Sequence, residues 1–360
     1  VNRVRTALLV VLLTVLEFHV LSVIHFNKGG GPWTTSIAAF PYELATGTFD
    51  MLHCAQRVLL PKVLLFVVRA TGWSAMHVWL GAVFGMLLAS NALTLWLLGR
   101  HAATKPFAAF YTFAQAAVFV ALQEFYVLPP YDLVDNLTWF LFALGVFGNA
   151  RWWWFAVLFV VELHNREVAL YFALWVALQN LLPLQFKLRP LLTGCAALAC
   201  VPLGFAYTVW LRAACLTVPV PPRVGLVYGE CVSWKGNLTA FRECFPGTPW
   251  TTMWMGHTRY EIWTVIAALA LTAVAFTYLK RGWFAARFVV FVGAFWAAIL
   301  YSTIVMEVRA FSVLTPLLLF AVFLRGRDYE LRYQDGTSSH TAGDGGSGGI
   351  ASLRGIPHFN

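Results

Sequence analysis

The chain has 360 residues, of which 60% are hydrophobic, 16% aromatic and only 11% charged, against about a quarter charged in an ordinary soluble domain. Polar groups are too few to cover a water-facing surface, which excludes a soluble globular enzyme, a disordered protein and a nucleic-acid-binding domain. The net charge of +9 is spread along the chain and reads as topology information, so the expected class is an all-α polytopic membrane bundle with the lipid bilayer as solvent and no nucleic-acid partner.

A helix crossing the hydrocarbon needs about 20 mostly apolar residues. The first candidate runs from about Arg5 to Ile24. Arg3 and Arg5 before it favour a cytoplasmic N-terminus. Its length, and the lack of small residues placed for cleavage, set it apart from a signal peptide. A polar stretch, Asn27 to Cys54, follows. The amphipathic segment Arg57 to Val68, interrupted by Pro61 and Lys62, is expected to lie along the interface.

The second span is expected over Ala75–Leu98, before Arg100, His101 and Lys105, and the third over Phe107–Phe125, before Pro129 and Pro130. The fourth covers Leu133–Phe147. The fifth starts at Trp152-Trp153-Trp154 and stops at Glu162-Leu163-His164-Asn165-Arg166-Glu167; the sixth covers Val168–Leu182. The seventh runs from about Pro190 to Trp210, the eighth over Ile262–Leu279, the ninth over Phe288–Met306 and the tenth over Phe311–Leu324. The fifth and sixth are short. Reading them as one helix would bury charges at mid-membrane, at about 2.5–3.5 kcal/mol each, and would put Lys280, Arg281 and Arg287 outside against the positive-inside bias. Ten spans with both termini cytoplasmic are therefore expected. Residues 1–327 form the helical domain, with outer loops 26–73 and 209–261. Residues 328–360 form a Gly/Ser-rich tail, expected to be flexible.

Acidic residues are distributed unevenly under this topology. Asp328, Glu330, Asp335 and Asp344 lie in the tail, and Glu17 lies inside the first span. Glu43, Asp50, Glu124, Asp132, Asp135, Glu162, Glu167, Glu230, Glu243, Glu261 and Glu307 all fall in outer loops or at outer helix ends. Charge sorting explains part of this. The concentration at helix ends, close to hydrocarbon, points further, to a shared polar cavity at the outer face. Arg57, Arg166, Arg259 and Arg309 accompany the acids, and such a cavity can bind an anionic lipid head group. Glu162 and Arg166 are four apart and pair if the helix persists; Asp132 and Asp135, three apart, line one face. For each residue taken singly, an ion pair tying helix ends is the simpler role.

Other signals are weaker. His19, His25, His53 and His164 show no metal-ligand spacing. Cys195 and Cys200 sit in an apolar run, whereas Cys231 and Cys244 lie in a polar loop where a disulfide is one of two open readings. Asn136-Leu137-Thr138 and Asn237-Leu238-Thr239 match a glycosylation acceptor pattern that arises readily by chance.

Three short stretches resemble the GT-C superfamily of membrane glycosyltransferases. They are Arg57-Val58-Leu59-Leu60-Pro61 after the first outer loop, Asn165-Arg166-Glu167 opening the sixth span, and Glu307-Val308-Arg309 with Pro316 in the last. The resemblance covers about residues 1 to 325 and is closest to bacterial multi-pass members. It implies an active site at the outer face that moves a sugar from a polyprenyl-phosphate carrier to a glycan, lipid or protein acceptor. It also implies a general base in the first outer loop, for which Asp50 is the first candidate here and Glu43 the second.

The chemistry of the residues fits that implication. A carboxylate within hydrogen-bond reach makes an acceptor hydroxyl more nucleophilic. A guanidinium fork matches phosphate oxygens, making Arg57, Arg166 and Arg309 the phosphate candidates. Asp132, Asp135, Glu167 and Glu307 are candidates for positioning sugar hydroxyls or for pairing with those arginines. Trp33, Trp234 and Trp250 either stack on sugar faces or anchor at the interface. No cofactor is expected, although a divalent cation bridging carboxylate and phosphate stays open. A lipid or glycolipid flippase and a non-catalytic scaffold are the rival functions. Paired broken helices, the usual mark of a transporter, are not evident in the sequence.

Overall fold

The computed structural model describes residues 2–29, 59–122, 130–183, 187–215, 259–278, 282–302, 311 and 313–339. Eleven α-helices and no strand occur among these residues: α1 Asn2–Gly29, α2 Leu59–Thr71, α3 Ala75–His101, α4 Lys105–Ala121, α5 Pro130–Phe147, α6 Trp152–Leu163, α7 Leu170–Leu181, α8 Leu188–Cys215, α9 Arg259–Tyr278, α10 Trp283–Ser302 and α11 Thr315–Ser339. A short 3-10 turn, Glu167–Ala169, opens α7. Three segments are long and apolar enough to cross a membrane: Val4–Val23, Ala75–His101 and Leu188–Leu211.

Apart from α2, successive helices alternate in direction. In α1 and α3, Phe18 meets Phe84 with ring centroids 5.9 Å apart, and Asn91 Nδ2 donates to Thr14 Oγ1 at 3.2 Å. Ascending numbers on one helix thus meet descending numbers on the other. The same crossing relates α9 to α10, where Trp296 Nε1 donates to Thr272 Oγ1 and Phe276 meets Phe288. The alternation gives the bundle two ends. One carries Arg5, Arg100, Lys105, Arg151, Lys187, Arg189, Arg287, Arg325 and Arg327; the other carries Asp132, Asp135, Glu162 and Glu167.

The turn at residues 164–166 resolves the short fifth and sixth segments into a hairpin. Phe142 of α5 touches both Phe155 near the start of α6 (5.6 Å) and Trp175 of α7 (6.4 Å). One straight helix would hold residues 155 and 175 about 30 Å apart at ~1.5 Å per residue. A Cβ on Gly204 of α8 would approach Leu170 of α7 (2.7 Å) and Phe159 of α6 (3.2 Å), so α8 closes against both arms.

Aromatic rings fill the centre. Trp139 is fully buried and packs against Phe142, Tyr171, Phe172, Phe291 and Phe295. This joins α5, α7 and α10, and each such pair contributes about 0.5–1.5 kcal/mol beyond the burial of its area. Helix α11 is buried almost all round from Thr315 to Leu324. It packs on α4, α5 and α9. On the peripheral helices, large apolar side chains point outward instead: Leu8, Leu12, Phe110, Val157, Val160, Leu203 and Phe205 are all exposed. Buried polar side chains, by contrast, join helices inside. Asn91 Nδ2 donates to Glu17 Oε2 at 2.5 Å, and Gln115, Asn136 and Ser90 form a second chain across α4, α5 and α3. Asn136 is thus a buried strut between helices, its amide engaged by two partners.

Two further features bear on the expected layout. Helix α2 starts at the acidic end, where Leu59 N donates to His164 O at 3.3 Å, and three residues after its C-terminus α3 starts at the same end. It therefore lies across the bundle, with Pro61 and Leu64 buried and Val63 and Phe66 exposed. At the other extreme, α11 continues through Arg327 to Ser339, so the first part of the stretch read as a flexible tail is helical. Its Arg327-Asp328-Tyr329-Glu330-Leu331-Arg332 sequence is rich in helix-compatible residues, and the glycine-dense part begins only afterwards.

Candidate functional site

The charges at the acidic end converge because three local structures meet there. Proline opens α5 at Pro130, and Asp132 stands in its first turn, where the helix dipole favours a carboxylate. Asp135 and Thr138 follow at three-residue intervals along the same side. Opposite them, α6 ends at Leu163, and the chain turns through Arg166 N donating to Glu162 O at 2.6 Å.

This turn changes the expected pairing. The helix does not persist to residue 166, so Glu162 and Arg166 do not share its face. The Arg166 guanidinium instead donates through Nη1 to Asp135 Oδ2 at 2.9 Å and reaches Asp132 Oδ1 at 3.4 Å. Glu162 accepts from the Thr138 hydroxyl at 2.6 Å and from Asn165 Nδ2 at 3.1 Å. Asn165 Nδ2 also donates to Asp135 Oδ1 at 2.6 Å, which closes the network. On the far side of the turn, His164 Nδ1 donates to Val160 O at 2.9 Å. This leaves Nε2 to accept the Tyr207 hydroxyl at 3.0 Å, tying the hairpin to α8.

The cluster is deeply placed. Asp132 and Glu162 are fully buried, Asp135 and Asn165 nearly so, and the Arg166 side chain is 11% exposed. Among the described residues, Arg166 is shared between Asp132 and Asp135, while Glu162 is held by the Thr138 hydroxyl and the Asn165 amide. Among the described residues no group of three or more His, Cys, Asp and Glu side chains has a geometry that holds a metal ion.

The structure thus brings together three of the expected site residues, Asp132, Asp135 and Arg166, and Glu167 follows Arg166 at the start of the 3-10 turn. Asp50, Glu43, Arg57, Glu307 and Arg309, with the Cys231–Cys244 pair, lie outside the described residues. Thr138 and Asn165 were not singled out for the site from sequence. Their signal was available in the three-residue rhythm Asp132, Asp135, Thr138 and in the position of Asn165 beside Arg166. Comparison with protein-family models, with curated proteins and with solved structures finds no match to this chain.

Proposed function

We propose that this chain is a ten-span membrane glycosyltransferase of the GT-C kind. In this reading it moves a sugar from a polyprenyl-phosphate donor to an acceptor at the extracytoplasmic face, with the acidic end of the bundle facing outward. The observation that carries the proposal is the Asp132–Asp135–Arg166–Asn165–Glu162 network, a costly set of ionisable groups assembled at one end of an otherwise apolar bundle. Alternation of ten helices and the outward-facing apolar side chains support the membrane placement.

Asp132 and Asp135 both hold Arg166 through Nη1, so that end of the guanidinium is placed before substrate arrives. The pre-set fork contributes one edge to the phosphate. Arg57 and Arg309 supply further guanidiniums for the phosphate oxygens. Asp50, with Glu43 second, removes the proton of the acceptor hydroxyl as that oxygen attacks the anomeric carbon. The bond from carbon to phosphate oxygen breaks, and the carrier phosphate departs as an anion that needs no protonation. Glu167 and Glu307 position sugar hydroxyls.

A scaffold reading draws on the complete burial of Asp132 and Glu162, which suits a staple between helix ends. Transfer assays on the reconstituted protein separate the two, using a polyprenyl-phosphate sugar donor and a truncated-lipid acceptor. Asp50→Asn is expected to abolish transfer with the protein folded and inserted. Full transfer by the Asp50→Asn, Glu43→Gln and Arg57→Gln variants alike overturns the enzyme reading.

A further inference from the structure

The basic end of the bundle has a concavity of its own, of about 720 Å³, lined by Arg151, Arg189 and Arg287 together with Asn149, Gln179 and Asn180. It lies at the opposite end of α5 and α6 from the acidic network. Three separate chain segments deliver its arginines. Arg151 is the N-cap of α6, Arg189 stands in the first turn of α8, and Arg287 stands in the second turn of α10. Among the described residues no carboxylate lines it. Three guanidiniums at one hollow without counter-charge are mutually repulsive, and α6, α8 and α10 all point their N-termini, the positive ends of their dipoles, toward the same region.

The hollow is also built with some rigidity. Arg287 Nε donates to Leu182 O at 2.6 Å, which anchors the guanidinium across the α7–α10 contact. Gln179 Nε2 donates to Asn149 Oδ1 at 3.0 Å, and Asn149 takes the left-handed φ of 51° that turns the chain from α5 into α6. Trp152 and Trp153 flank the hollow, and Trp283 opens the neighbouring α10; all three are exposed. Exposed tryptophans at helix ends settle at the level of lipid head groups.

We infer that this hollow is a second, separate binding site, for a phosphate-bearing anion at head-group level, with the phosphate of an anionic phospholipid as the occupant its tryptophan rim favours. Planar guanidiniums give two-pronged hydrogen bonds to phosphate oxygens, the amides satisfy glycerol or head-group hydroxyls, and the three cations lose their mutual repulsion on binding. The inference rests on the membrane reading and is independent of the glycosyltransferase reading, because none of these residues belongs to the acidic end.

The test is native mass spectrometry of the purified full chain with cardiolipin, phosphatidylglycerol, phosphatidylcholine or inorganic phosphate. Wild type is expected to retain the anionic lipids at least tenfold better than phosphatidylcholine. Arg151→Gln/Arg189→Gln, which alters two exposed side chains, is expected to lose most of that preference. Arg100→Gln, at the same end but stacked on Trp96, is expected to keep it. Inorganic phosphate that displaces the lipid from wild type, and not from the double variant, identifies the phosphate as the recognised group; lipid retention unaffected by phosphate locates recognition in the whole head group. Equal retention of phosphatidylcholine, an unchanged double variant, or an equal loss in Arg100→Gln overturns the inference. Sugar transfer measured on the same double variant reports on the acidic end separately.

Discussion

Removing Arg166 exposes the energetics of the acidic network most sharply. The guanidinium contacts Asp135 at 2.9 Å and Asp132 at 3.4 Å, with both carboxylates at most 1% exposed. Arg166→Met keeps much of the apolar stem and deletes the charge, leaving two buried carboxylates without this counter-ion. Breaking a buried pair from one side costs about 3–5 kcal/mol. An average hydrogen bond between membrane helices is worth only about 0.6 kcal/mol. Since the longer contact adds little, a loss of roughly 3 kcal/mol is expected for the single variant. Replacing the carboxylates as well removes the charge that made the loss expensive, so Arg166→Met/Asp132→Asn/Asp135→Asn should recover at least half of it. Reversible unfolding in mixed micelles, followed by tryptophan fluorescence, measures all three proteins. A loss near 0.6 kcal/mol for Arg166→Met, or a triple variant weaker than the single, refutes the reasoning, because water would then be screening the pair.

Five further substitutions test the packing between helices. A Cβ on Gly145 would sit 2.6 Å from Trp154 Cδ1, and that indole is fixed by Nε1 donating to Leu141 O at 3.1 Å. Gly145→Ala should therefore cost about 1–3 kcal/mol in the same unfolding assay. Gly293→Ala, with nothing within 4 Å of the new Cβ, should be neutral or gain up to about 1 kcal/mol; equal effects at both positions would contradict the described α5–α6 approach. Asn91→Leu removes donors to Glu17 and Thr14 and should destabilise by about 1–2 kcal/mol. Glu17→Gln, which retains an acceptor for Asn91, should cost less than Asn91→Leu, and the reverse order would show that the carboxylate itself matters. Tyr207→Phe deletes the hydroxyl that reaches His164. It should raise hydrogen exchange at residues 163–167 more than at residues 139–143, and uniform protection would refute a local tether.

Much of the helical layout was legible because apolar runs of span length are interrupted by charged or Pro-containing breaks. Arg100 and His101 end α3, Pro130 opens α5, and Lys187 and Arg189 stand at the start of α8, close to the expected breaks. The hairpin was legible from cost: charges between residues 162 and 167 do not belong inside a continuous span. That Asp132, Asp135 and Arg166 fall at one end of the bundle followed from counting turns. Which partner each charge chooses was not legible. Glu162 and Arg166 satisfy the four-residue rule on paper, yet the helix stops between them and the guanidinium crosses to α5. Thr138 looked like part of a glycosylation pattern because a local motif says nothing of burial. The helical extension beyond Arg327 was hidden by averaging a charged helix-forming stretch with the glycines that follow it. The basic hollow is a tertiary feature, since residues 151, 189 and 287 are far apart in sequence and each alone reads as an ordinary cytoplasmic charge.

Side-specific labelling tests the ten-span account most directly. Single cysteines placed in a cysteine-free background at residues 35 and 225, and at residues 103 and 148, are challenged with a membrane-impermeant maleimide on intact cells. The account predicts labelling at 35 and 225 from outside, and at 103 and 148 only after the membrane is opened. Labelling of 35 and 225 from opposite sides would contradict it, because the acidic ends of the helices would then no longer face one compartment.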